Sequence, residues 1–246
     1  MSFTVALGGK GGTGKTTIAG LLIRYMIDHG MKPVLAVDAD CNSNLNDVLG
    51  VSLEETLSDA REQMKTDVPS GMTKDVYMEL KVEQALVEGQ GFDLVAMGRP
   101  EGPGCYCAAN NLLSSLIDRL IKNYPYIVVD NEAGMEHFSR LTQKDVDLLL
   151  LVSDPSRRGL TAACRIAELV RSLPIRVSET VLIVNQLESQ PKSWPQEVLD
   201  TFPPDRIKLL PADPLLAQDF LRLKNMVDEV QDSSDDIIYA FIQDKK

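Results

Sequence analysis

The residues from 9 to 17 carry the strongest chemical signal in the chain: Gly9-Lys10-Gly11-Gly12-Thr13-Gly14-Lys15-Thr16-Thr17. They satisfy the pattern G-x-x-x-x-G-K-[ST]. Glycines at this spacing let the backbone curl until successive N–H groups converge on phosphate oxygens. A helix beginning at the end of such a loop adds partial positive charge. Lys15 brings a full charge to the β- and γ-phosphates, and Thr16 offers a hydroxyl to Mg²⁺. A chance glycine-rich turn is the bland alternative. An apolar run before the motif and a helical pattern after it argue against that.

Carboxylates recur where they could complete such a site. Asp38 and Asp40 follow the apolar run that ends at Val37, and Asp130 follows Ile127-Val128-Val129. The carboxyl ends of parallel strands face the ligand crevice of an open α/β sheet. Asn131, Glu132, Gly134, Glu136 and His137 continue the second segment. A lone histidine there is more often a loop polar residue than a ligand. Asn185 ends another apolar run, and Pro211-Ala212-Asp213 ends one more.

A second kind of chemistry sits in Gly98-Arg99-Pro100-Glu101-Gly102-Pro103-Gly104-Cys105-Tyr106-Cys107, just ahead of a helical pattern. A helix N-terminus favours thiolate, the metal-binding form. Two thiolates do not complete a site, because soft divalent ions take about four ligands. A symmetric dimer would supply the same pair twice and give an S₄ set, tetrahedral for Zn²⁺ or planar for Ni²⁺. A strained Cys-x-Cys disulfide and two buried small residues are the competing readings.

The elements that must position these residues are legible from periodicity. Apolar runs at 4–7, 34–37, 94–97, 127–129, 148–152, 181–184 and 207–210 are mostly continuous, as parallel strands buried on both faces require. Helical patterns lie between them at 15–28, from 112 to 121, at 160–172 and at 215–223, with a short last helix at 237–242. The order predicts an α/β fold: a P-loop NTPase with a doubly wound, mostly parallel sheet flanked by helices. One domain over 1–246 is expected, with 51–91 as an insertion of helices and loops beside the nucleotide site. Residues 194–204 are proline-rich and predict a surface connection.

The bulk properties agree with one globular α/β domain that can bury a sizeable core. The chain has 246 residues, 44% of them apolar, and a net charge of -11. That charge argues against nucleic acid or an anionic membrane surface as the main partner. No signal peptide and no membrane span are expected, which predicts a cytoplasmic protein. Four cysteines, Cys41, Cys105, Cys107 and Cys164, then read as thiols available for metal or redox chemistry.

The motif K-G-G-x-G-K-T-T, with its extra Lys10, resembles the deviant P-loop of the MinD, ParA and nitrogenase iron-protein superfamily. The resemblance implies that Lys10 crosses a homodimer interface to the partner's phosphates, where a cation stabilises charge developing on the γ-phosphate. It implies that Asp40 orients the attacking water, that Asp38 and Asp130 support the magnesium shell, and that Gly134 donates its N–H to the γ-phosphate. It also implies that Asn185, Pro211 and Asp213 hold adenine. No N-K-x-D pattern stands at Asn185-Gln186-Leu187-Glu188, which favours ATP over GTP.

The segment G-R-P-E-G-P-G-C-Y-C-A-A-N-N, with D-N-E-A-G-M-E-H downstream, narrows the likeness over nearly the whole chain. It resembles the nickel-insertion ATPases of the CooC and AcsF type, which mature carbon monoxide dehydrogenase and acetyl-CoA synthase. Departures are Thr13 in the loop, Cys41 where the superfamily often has proline, and Asn131 after the aspartate. The resemblance implies ATP-gated delivery of Ni²⁺, held by Cys105 and Cys107 across a dimer, to such a client enzyme. An iron-protein-like Fe–S electron donor and a positioning or partition ATPase are the alternatives. The acidic stretch at 232–236 weighs against a membrane-anchoring tail.

Overall fold

The computed structural model describes residues 2–99, 115, 117–132, 145–172, 176–189, 191 and 193–212. Its centre is a sheet of β1 (Phe3–Gly8), β2 (Val34–Ala39), β3 (Val87–Glu88), β4 (Phe92–Ala96), β5 (Tyr126–Asn131), β6 (Val146–Ser153), β7 (Val177–Leu187) and β8 (Ile207–Pro211). The spatial order is β3-β4-β2-β5-β1-β6-β7-β8. Every pairing is parallel except β3 with β4. The predicted doubly wound α/β architecture is therefore the observed one.

Period-2 alternation divides the core between the two faces of the sheet. Val5, Leu7, Val34, Ala36, Leu94, Val128, Leu150 and Ile183 share one buried cluster with helix α1 (Lys15–Asp28), through its Ile18, Leu22, Ile23 and Met26, and with Leu45 of the short helix α2 (Leu45–Leu49). Ala6, Leu35, Val37, Val95, Ile127, Val129, Leu149 and Leu182 face the other way. They pack against α3 (Leu57–Thr66), α4 (Lys74–Gln84), helical residues 117–121, α5 (Arg157–Val170) and α6 (Gln196–Thr201). Burying both faces explains why the strands read as continuous apolar runs. Each fully buried leucine or isoleucine contributes ~1.5–3 kcal/mol of transfer free energy.

Local sequence sets the helix starts. Thr56 caps α3 with a reciprocal Asp59 capping box, Thr73 caps α4 through the Val76 N–H, and Ser156 caps α5 through the Gly159 N–H. The stretch 51–91, expected as helices and loops beside the site, forms α3, α4 and β3. It sends Leu57, Ala60, Met64, Tyr77, Met78 and Val82 into the main core cluster. β3 has only two residues and pairs antiparallel at the sheet edge, too short to carry a periodic signal. β7 begins four residues earlier than its apolar run, at Val177 rather than 181, because the half-buried Val177, Glu179 and Thr180 pair with β6. The predicted helices at 215–223 and 237–242, and the start of the one from 112, lie outside the described residues.

Candidate nucleotide site

β1 is the topological switch point: β2 is reached across β5 on one side, and β6 pairs directly on the other. The crevice at the carboxyl end of that strand is where an open α/β sheet binds ligands. The glycine loop emerges there. Gly9 has φ +143°, and a Cβ built on it would lie 2.1 Å from the Val152 carbonyl oxygen on β6. Only glycine lets the loop run this close to the neighbouring strand. Gly14, at φ 92°, is the N-cap residue of α1 and turns the chain into the helix.

Side chains then brace the loop. Thr13 Oγ1 donates to the Lys10 carbonyl at 2.9 Å, and Lys15 Nζ donates to the same oxygen at 3.3 Å. Lys15 is buried, whereas Lys10, Gly11 and Gly12 are exposed. Burial pulls the Lys15 ammonium below its ordinary pKa, opposed by the carboxylates of Asp130, Asp40 and Glu132. Those three acidic groups therefore lie within electrostatic reach of Lys15, although they come from β5, from the residue that follows it and from the loop after β2.

Asp38 and Asp130 stand opposite each other on paired strands, and both are 1% exposed. Asp38 accepts from the Asp40 N–H at 3.0 Å and from the Leu45 N–H at 2.9 Å. Even so, burial pushes its carboxyl up to about 6. Burial pushes Asp130 up to about 7, against a hydrogen bond with Thr16 and the charge of Lys15. Asp130 Oδ1 is buried without a hydrogen-bond donor. An unsatisfied acceptor on a destabilised carboxylate suits a hydrated divalent cation, which would supply the missing donors and charge. Thr16, Asp38 and Asp130 thus fit Mg²⁺. Asp40 is half-buried, and its Oδ1 accepts from Asn42 N at 2.8 Å and Asn42 Nδ2 at 3.0 Å, an Asx turn.

The late elements reach the same loop. Asn185 Nδ2 donates to the Thr13 carbonyl at 2.9 Å. Pro211 ends β8 in register with Leu187. Thr17 lies in the first turn of α1. Gly134, Cys105, Cys107 and Asp213 lie outside the described residues, as do Glu136 and His137. Among the described residues no group of three or more His, Cys, Asp or Glu side chains is placed to hold a metal ion. Nor is any helix there long and apolar enough to cross a membrane.

Several contacts were not foreseen. Gln186, at φ 61°, donates from Nε2 to the Gly12 carbonyl at 3.4 Å. Asn131 is 1% exposed and donates from Nδ2 to the Leu7 carbonyl at 2.9 Å, joining the ends of β5 and β1. Cys41 Sγ contacts Glu132 Oε2 at 3.8 Å, and Arg99 Nη2 donates to Asn42 Oδ1 at 3.5 Å. The signal for Asn131 was a polar residue inside an apolar strand. The others depend on loop conformation, for which sequence carries no periodicity.

Comparison with known proteins follows the same lines. The model of the CobQ/CobB/MinD/ParA nucleotide binding domain matches residues 4–240. An uncharacterized ATP-binding protein of Methanocaldococcus jannaschii is 42% identical over 191 residues, 76% of this chain and 75% of its own length. The carbon monoxide dehydrogenase accessory protein CooC of Rhodospirillum rubrum is 35% identical over 186 residues, 70% of each chain. Among solved structures, the MinD cell division protein of Aquifex aeolicus superposes with a TM-score of 0.67 at 22% identity, covering 98% of this chain and 96% of that one.

Proposed function

This chain belongs to the CobQ/CobB/MinD/ParA nucleotide-binding family and is an ATP-binding P-loop ATPase, and from that premise we propose that it is a metallochaperone. In this reading residues 1–246 act as one ATPase domain in the cytoplasm. Two copies pair on ATP, and ATP turnover governs delivery of nickel to carbon monoxide dehydrogenase or acetyl-CoA synthase.

The observation that carries the reading is the coexistence of Lys10 in the loop with Cys105-Tyr106-Cys107 in one chain. Its 35% identity with CooC supports the same direction. The cargo ion, Ni²⁺ or Zn²⁺, is held by Cys105 and Cys107 of both copies, since one chain supplies only half of a four-sulfur set.

The chemistry assigned to this chain's residues follows from charge. The backbone of 9–17 and Lys15 bind the triphosphate. Asp40 orients the attacking water, and Lys10 of the opposite copy stabilises charge on the transferring phosphoryl group. Gly134 senses the γ-phosphate through its N–H. Asn185, Pro211 and Asp213 form the adenine end. Magnesium, bound by Thr16 and through water by Asp38 and Asp130, would neutralise the β- and γ-oxygens.

The decisive experiment is equilibrium Ni²⁺ binding to wild type and to Cys105→Ser/Cys107→Ser, with and without ATP, alongside size-exclusion chromatography. Wild type is expected to bind tightly as a dimer and the double variant to lose that binding. Equal tight binding by both proteins overturns the metal assignment.

A further inference from the structure

The two central strands of the sheet part at the nucleotide site. The register of β1 with β5 ends where Leu7 lies opposite Asp130. Just beyond, Gly8 of β1 lies opposite Leu151 of β6, whereas Asn131 of β5 lies opposite Ala39 of β2. The opening between the two strands is the crevice at their carboxyl ends. Gly9 begins the phosphate loop on one side of it. Asp130, the carboxylate that fits magnesium, stands on the other.

One side chain spans that opening. Asn131 donates from Nδ2 to the Leu7 carbonyl at 2.9 Å. Strand alternation turns Asn131 and Asp130 to opposite faces of the sheet. Asn131 therefore ties the strands from the face away from the magnesium carboxylate. The loop itself is braced by other strands: Gly9 runs close to the Val152 carbonyl of β6, and Asn185 of β7 donates to the Thr13 carbonyl. Asn131 joins β1 to the end of β5.

The amide is not there for packing. Asn131 is 1% exposed, and its Oδ1 is buried with no hydrogen-bond donor. An unpaired buried acceptor lowers stability, and an apolar side chain in this strand would leave no such atom. Ile127 and Val129, on the same face, are apolar. An exception of this kind to the local pattern belongs at a functional site.

We infer that Asn131 is a positioning residue for ATP hydrolysis: its amide sets the separation between the strand that opens into the phosphate loop and the strand that carries Asp130. The inference rests on the magnesium assignment of Asp130 and is independent of nickel delivery. Without the amide the phosphate loop still binds phosphate and Asp130 still ionises, but the two halves of the site lose their fixed spacing. Magnesium demands near-ideal octahedral geometry, so its bridging of phosphate and carboxylate suffers first.

The test measures ATP affinity by titration calorimetry, once with MgCl₂ and once with EDTA, for wild type, Asn131→Leu and Asp130→Asn, together with the melting temperature of each. In wild type magnesium is expected to tighten ATP binding, and in Asp130→Asn that gain should be absent. Asn131→Leu should bind ATP in EDTA within about twofold of wild type, while its gain from magnesium falls about tenfold, the effect of one lost buried hydrogen bond. Its kcat should fall by a similar factor. Its melting temperature should stay within about 3 °C of wild type, because losing the donor to Leu7 is offset by removing the unpaired Oδ1. Asn131→Val, smaller and suited to a strand, is measured in the same way if the leucine variant does not fold.

If the apolar variant keeps the full magnesium gain and kcat, this inference is overturned and the magnesium assignment stands. It is overturned as well if ATP binding in EDTA and the melting temperature fall while the magnesium gain is unchanged, which is the signature of a structural role alone. If Asp130→Asn keeps the magnesium gain, the assignment and the inference both fall.

Discussion

Asn185 and Thr13 are 172 positions apart in the chain, yet the Asn185 amide donates to the Thr13 carbonyl at 2.9 Å. The end of β7 thereby holds the phosphate loop at the point where it turns into α1. A Cβ on Gly14 would lie 2.5 Å from the same Nδ2, so loop and amide are packed face to face. In the proposed site the Asn185 oxygen would accept from adenine, giving one side chain two tasks.

Asn185→Ala separates those tasks. Losing the hydrogen bond should cost about 1 kcal/mol of loop stability and weaken ATP binding by roughly fivefold. Titrating both ATP and inorganic triphosphate distinguishes the routes. Equal weakening of the two shows action through the loop, whereas a loss confined to ATP shows action at the base.

Gly9→Ala is predicted to abolish nucleotide binding. The residue sits at φ +143°, and its Cβ would collide with backbone of β6 rather than with a yielding side chain. Strain of about 1–3 kcal/mol corresponds to a melting temperature lower by roughly 2–10 °C for a chain this size. Calorimetry with an ATP titration reads both effects. Normal ATP affinity in this variant would show that the loop can retreat from Val152.

Lys10 and Lys15 should behave differently. Lys15→Ala removes the buried charge among the site carboxylates, so ATP binding is lost. Lys10 is exposed, so Lys10→Ala should bind ATP normally while hydrolysis falls by about 10³-fold, as for other cations supplied from outside the loop. Asp40→Asn should also be inactive. A one-to-one mixture of Lys10→Ala with Asp40→Asn should recover about a quarter of wild-type turnover, since half the dimers are mixed and each holds one intact site. No recovery on mixing means that Lys10 acts within its own chain.

The sheet and the phosphate loop were legible for identifiable reasons. Val5, Ala6 and Leu7 must be apolar on both faces, and glycines at 9 and 14 must be glycine because β6 and Asn185 leave no room. Asp38 and Asp130 stood out as charges ending apolar runs, and they prove to face each other across paired strands. What the sequence concealed was the packing of 51–91, where capping by Thr56 and Thr73 organises helices whose burial depends on partners distant in the chain. The contacts of Arg99, Cys41 and Gln186 were concealed too. They arise where three loops meet, and their distances follow from tertiary placement rather than from local pattern.

The carboxylates of Asp38 and Asp130 make the protein's stability and its magnesium affinity depend on pH in opposite ways. Burial raises them to about 6 and about 7, above the ordinary value of 3.8. A raised carboxyl binds its proton more tightly in the folded state than in the unfolded one. The native chain therefore carries more protons between about pH 4 and 7, and stability falls as pH rises through that window. Above it, two unneutralised carboxylates burden the fold. Magnesium binding needs them ionised, so Mg–ATP binding should strengthen as pH rises from 5.5 to 7.5 and should release protons. Calorimetric titration at pH 6.5 in two buffers of different ionisation enthalpy measures that release directly. Asp130→Asn removes the buried charge and should raise the melting temperature of the nucleotide-free protein at pH 8 by roughly 2–8 °C, while abolishing the magnesium dependence of ATP binding. The difference should shrink as pH falls from 7 and close only below about pH 4, where Asp130 is protonated in the unfolded chain as well as in the folded one. A variant less stable than wild type at pH 8 would show that the Asp130 carboxylate is a net stabiliser, and the pH dependence argued from its burial would then fail.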